Sequence, residues 1–227
     1  MKSFWRVVWI VARKDLAIEA RSRELINTTL FFALSCVVIF AVSFVREGKA
    51  LGDAAAGILW VAIAFSGTLA LGRTFERERY ADTLRALLLA PSDRPAIYVG
   101  KLIGILALLV ATEIVVLPLV ALLFQARLFD YPLLMGALLM FGTVGFACVG
   151  TLFAAMLGRA RSRDVLLPIL LYPVTIPVMI AGVRGTAALL EATPQLEMAR
   201  LWIMLLVCFD VVFLTLSLWT FEPVMTE

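Results

Sequence analysis

The chain contains no histidine. That removes the commonest general base, metal ligand and haem ligand in one observation. It also excludes a hydrolytic triad of the usual kind. Cysteine is scarce, with Cys36, Cys148 and Cys208 among 227 residues. Each falls inside an apolar run and none has CxxC spacing, so neither a disulfide framework nor a zinc site is expected. They read as small apolar packing residues. No GxxxxGK[ST] sequence occurs. Gly100-Lys101-Leu102 lacks the preceding glycine and the following hydroxyl, so nothing in the sequence can cradle ATP phosphates. A nucleophile elbow and a dinucleotide fingerprint are also missing. Enzymatic activity in this chain alone is not expected, nor is a nucleic-acid partner. The first 24 residues carry scattered charge, with no compact apolar core leading to a small-residue cleavage site, so no secretory signal peptide is expected.

What the chain has in excess is apolar sequence. Hydrophobic residues make up 63% of it, against roughly 45–50% in soluble domains. Six runs are long enough to cross hydrocarbon, which takes about 20 helical residues. They lie near 25–45, 54–72, 102–124, 133–157, 165–183 and 201–221. They are continuous rather than alternating, which excludes barrel strands, and a lone strand would leave its backbone unsatisfied in lipid. The expected fold is therefore an all-α membrane protein with six transmembrane helices in one domain, 25–221. Residues 1–24 precede it and 222–227 form a tail. Fifteen of the twenty Lys and Arg residues fall on one side of such a topology, the side that holds both termini. By the positive-inside rule that side is cytoplasmic.

Residues 2–24 are amphipathic. Trp5, Val8, Trp9, Ala12 and Leu16 share a face, and Arg6, Arg13 and Arg21 lie off it. A helix of this kind tends to lie in the membrane interface. Between the second and third runs stands the longest polar segment, Arg73 to Pro95. Within it Tyr80, Leu84, Leu87 and Leu88 are spaced i, i+4, i+7, i+8, one helical face. Glu76, Arg79, Asp82 and Arg85 occupy the other faces, and Pro91 ends the pattern. The spacing predicts a short amphipathic helix projecting on the cytoplasmic side. The fifth run carries Pro168, Pro173 and Pro177, which predict kinks or a break. Glu113 and Asp210 lie near the centres of the third and sixth runs, with no Lys or Arg in any run to pair with them. An acid there costs roughly 2.5–3.5 kcal/mol on insertion scales. Each is read either as a polar element of a path or interface, or as a hydrogen-bonded packing group.

The 73–101 segment resembles the cytoplasmic loop of ABC-2-type exporter permeases. The shared features are the Glu76–Arg79 charge run, Thr83-Leu84-Arg85-Ala86-Leu87-Leu88-Leu89-Ala90-Pro91, Arg94, and Gly100-Lys101. Over nearly its whole length the chain is similar to the CcmB family, the haem exporter permeases of cytochrome c maturation. Leu88-Leu89-Ala90-Pro91, Leu167-Pro168-Ile169-Leu170-Leu171-Tyr172-Pro173 and Phe209-Asp210-Val211-Val212-Phe213 carry that likeness. The resemblance implies that the loop is a coupling helix docked on an ATPase subunit through Glu76, Arg79, Tyr80, Leu84, Leu87 and Leu88. It implies a bacterial inner-membrane location and three partners: a CcmA-like ABC ATPase, a CcmC-like haem-handling membrane protein and a CcmD-like single-span subunit. Two copies of the permease per complex are implied, because such ATPases act as dimers. ATP would be bound by the partner, and this chain would bind no cofactor of its own while the complex handles haem. The competing expectations are an ABC-2-type exporter of another substrate, an ion-coupled secondary transporter using Glu113 and Asp210, and a membrane scaffold without a transport path.

Overall fold

Backbone placed in hydrocarbon has no water to bond, so each spanning segment must satisfy its own N–H and C=O groups. The computed structural model describes residues 2–46, 49–50, 54–80, 94–157 and 162–226, with backbone only at 2–3, 45–46, 49–50, 74–80 and 222–226. Among these, helix α1 (Lys2–Ser22) precedes six helices long and apolar enough to cross a membrane. They are α2 (Glu24–Ser43), α3 (Ala55–Tyr80), α4 (Arg94–Phe124), α5 (Pro132–Met156), α6 (Arg163–Leu190) and α7 (Leu196–Thr226). Two-residue strands, β1 (Val45–Arg46) and β2 (Lys49–Ala50), pair antiparallel in the α2–α3 connection. The result is an all-α membrane protein.

Several helices outrun their apolar stretches. α4 starts at Arg94, well before the run at 102, and α7 continues to Thr226 through most of the stretch expected to be a tail. α3 runs on through Glu76, Arg79 and Tyr80 without a break. Once nucleated, a helix gains one hydrogen bond per added residue whatever the side chain, so hydropathy marks only the part that lipid touches. In α6, of the kinks or break expected from its prolines, the break does not occur. Despite Pro168, Pro173 and Pro177 it is one helix of 28 residues. Each proline removes one backbone bond and its fixed φ remains helical. The losses are spread over three turns rather than concentrated at one.

α3 and α5 form the centre of the bundle. Their apolar windows are 67% and 61% buried, against 17% for α7. Both pack on α4 and α6 and on each other, and α7 lies against α5 and α6. The centre is closed by Trp60 of α3, whose side chain is fully buried. Its indole fills a slot with the backbones of Gly142 (α5) and Gly182 (α6) as walls, where any Cβ would collide with the ring. Its Nε1–H donates to Thr186 Oγ1 at 3.0 Å, which meets the need of a buried indole for a partner.

α1 lies along α4. The chain turns from α1 into α2 at Arg23, which adopts φ 51°. A non-glycine residue pays about 1–2 kcal/mol for that conformation. The turn is secured because Glu19 Oε1 accepts the Ile26 N–H at 2.8 Å. The 80–94 and 157–163 connections share this end of the bundle, called here the α1 end. The opposite one is the hairpin end.

Candidate functional site

At the α1 end, α4 receives α1 through two adjacent residues. Gly100 has no side chain, and a Cβ there would stand 2.7 Å from Val11 Cβ. Val8, Val11 and Ala12 are buried as a consequence. One residue on, Lys101 is 2% exposed, and its Nζ meets Asp15 Oδ2 at 2.9 Å. Lys14 Nζ reaches Asp15 Oδ1 at 3.2 Å from the outer side. The face read from the sequence is therefore divided. Its Val8 and Ala12 edge is covered by α4, while Trp5 and Trp9 stay more than 60% exposed.

Only part of the docking set read from the sequence falls among the described residues. Glu76, Arg79 and Tyr80 belong to the last turns of α3. Leu84, Leu87 and Leu88 lie outside the described residues. α4 begins at Arg94, six residues before the Gly100–Lys101 seat of α1.

Glu113 and Asp210 are both buried, at 6% and 7% exposure, but their surroundings differ. Glu113 points from α4 to α5, where the Thr143 hydroxyl donates to Glu113 Oε1. The partner is a hydroxyl from a neighbouring helix. Asp210 sits on α7 against the bare backbone of Gly145 on α5, where a Cβ would come 2.6 Å from Oδ1. Neither oxygen of Asp210 has a hydrogen-bond partner among the described residues. A polar seam runs on from this level toward the α1 end. Ser217 Oγ lies 3.5 Å from Cys148 Sγ. Tyr98 donates its hydroxyl to the Cys148 carbonyl at 2.9 Å, and its ring packs 5.2 Å from that of Phe221.

Sequence reading missed the seam, because a lone tyrosine, cysteine or serine in an apolar run carries no periodic signal. It also missed Arg163, which is 5% exposed and donates from α6 to the Gly72 carbonyl of α3. Pro168, Pro173 and Pro177 all lie within α6. Thr175 Oγ1 bonds back to the Leu171 carbonyl at 2.9 Å. No group of three metal-ligating side chains occurs among the described residues.

Fold and site together define a multi-pass α-helical membrane protein with acids buried between its helices. The family model described as CcmB protein matches residues 6–225. The chain belongs to the CcmB family. It is similar to Heme exporter protein B of Haemophilus influenzae, 29% identical over 170 residues, which are 75% of this chain and 76% of that protein. Heme exporter protein B of Escherichia coli K12 is 33% identical over 101 residues, 44% of each chain. The figures are the same for Heme exporter protein B of Shigella flexneri.

Proposed function

We propose that this chain is the permease subunit of an ATP-driven haem export complex that serves cytochrome c maturation in the bacterial inner membrane. The single observation that carries the reading is the family match over residues 6–225, together with relatives named for haem export. The chain itself hydrolyses nothing. ATP is bound by a CcmA-like ATPase, and coupling drives haem export or the release of haem-loaded chaperone on the periplasmic side. CcmC-like and CcmD-like subunits complete the complex. Two permeases serve the two docking grooves of an ATPase dimer. Haem is cargo of the complex and not a cofactor of this chain, which has no histidine to offer its iron. Both termini face the cytoplasm, a reading supported by the distribution of Lys and Arg.

The local geometry supports a force-transmitting role for 81–93. The segment is continuous with α3, a central helix, and with α4, which carries α1. A push on it reaches the core by one route and the interfacial helix by the other. Tyr80, Leu84, Leu87 and Leu88 would lie in the ATPase groove as an apolar helical face, with Glu76 and Arg79 on its rim. Changing Leu84 and Leu88 to Asp should abolish co-purification of the ATPase and leave the permease in the membrane. Undiminished co-purification would remove the docking assignment. ATP hydrolysis by the permease purified alone would remove the non-catalytic one.

A further inference from the structure

We propose that the cleft between α2, α3 and α6 at the α1 end holds one zwitterionic phospholipid of the phosphoethanolamine class, with its headgroup between Arg73 and Asp164. The cleft has a volume of about 420 Å³, within the range of sites that hold a discrete small molecule. Phe32 and Phe65 line it and are 41% and 48% exposed. It therefore opens sideways, between helices that span the membrane, and what enters from that side is lipid.

The walls divide by chemistry along the helix axes. Phe65, Leu69, Leu167 and Pro168 make an apolar lower wall, and Arg73 and Asp164 stand at the mouth. From Phe65 to Arg73 is about 12 Å at 1.5 Å per residue, and Asp164 to Tyr172 is the same. A charged headgroup at the mouth would thus place the start of an acyl chain against Phe65 and Tyr172. At that depth the one polar feature is satisfied, since the Thr68 and Tyr172 hydroxyls bond each other at 3.2 Å.

The charge pattern selects the headgroup. Arg73 stands between two carboxylates. Glu24 Oε1 lies 4.0 Å from Arg73 Nη1, the outer limit of an ion pair, and Asp164 shares the cleft mouth. A ligand that is only anionic would gain Arg73 and be opposed by both acids. A zwitterion places its phosphate on the guanidinium, which binds phosphate in a fork, and its cation on Asp164. Pro168 sharpens the choice. It has no N–H, so the Asp164 main-chain carbonyl four residues earlier has no helical donor. A primary ammonium has three N–H donors for the carboxylate and this carbonyl, whereas a quaternary ammonium has none.

The test is native mass spectrometry of the purified full-length chain. It is titrated with phosphatidylethanolamine, phosphatidylcholine and phosphatidylglycerol of identical acyl chains. The expected result is one phosphatidylethanolamine per chain, retained roughly tenfold better than either of the others, about 1.4 kcal/mol. Asp164→Asn should bring phosphatidylglycerol level with or above phosphatidylethanolamine, and Arg73→Gln should weaken both. Equal retention of the three lipids by the unaltered chain, the mark of an ordinary lipid annulus, would overturn the proposal without any variant. So would a preference that Asp164→Asn leaves unchanged. Displacement of the lipid by iron protoporphyrin, with an absorbance change lost in Tyr172→Phe, would give the cleft to cargo and overturn it as well.

Discussion

The Asp15 carboxylate and the buried Lys101 ammonium meet at 2.9 Å, and through them α1 is fixed to the base of the third spanning helix. Removing one member of a buried ion pair is destabilising, by about 3 kcal/mol in typical cases. Asp15→Asn should therefore lower the melting temperature of the detergent-solubilised protein and expose α1 to proteolysis. The apolar pair Asp15→Leu with Lys101→Met should recover most of the loss. An unchanged melting profile for Asp15→Asn would show that the pair contributes nothing.

Trp60 should be the costliest single truncation in the bundle. Trp60→Ala removes a fully buried ring and leaves a cavity, for about 3–5 kcal/mol. Gly182→Ala forces a methyl into the ring and should cost about 1–3 kcal/mol by overpacking. Thermal unfolding of the two variants should rank them in that order.

The two buried acids should separate in cells. Glu113→Gln keeps a carbonyl oxygen for the Thr143 hydroxyl, so c-type cytochrome maturation should stay near the unaltered level. Asp210 has no hydrogen-bond partner among the described residues that would account for its burial, and an unpartnered acid in a membrane core marks function. Asp210→Asn should abolish maturation at matched membrane levels of protein. Full maturation with Asp210→Asn would reduce this residue to a packing group.

Gly145 should be intolerant for the same reason. A methyl there would press on Asp210 Oδ1 at 2.6 Å and on Phe209 at 3.1 Å. Gly145→Ala should depress maturation more than Gly136→Ala, since a Cβ at Gly136 meets nothing. Equal activity of the two variants would show that the α5–α7 contact is not constrained at Asp210.

The fold class was legible because hydropathy and length alone specify spanning helices. The helix ends were not, since α4 and α7 continue through residues such as Arg94 and Glu222 that no apolar count includes. The continuity of α6 was not legible for a related reason. Three prolines announce lost hydrogen bonds, but whether the helix breaks depends on the helices packed beside it. Burial of Glu113 and Asp210 could be inferred from position in the sequence. Their difference could not, because Thr143 and Gly145 become their neighbours only through packing. Gly100-Lys101 was legible as a family feature, while its partners Val11 and Asp15 emerged only when α1 was set against α4.

The Trp60 slot has a mechanical consequence. One rigid ring, held by backbone on two sides and by a hydrogen bond on a third helix turn, ties α3, α5 and α6 together toward the hairpin end. Sliding of any of these three past the others would need the ring to leave its slot. The tryptophan is thus a pin through three helices, and any rearrangement of the bundle that keeps the ring seated must pivot there rather than shear.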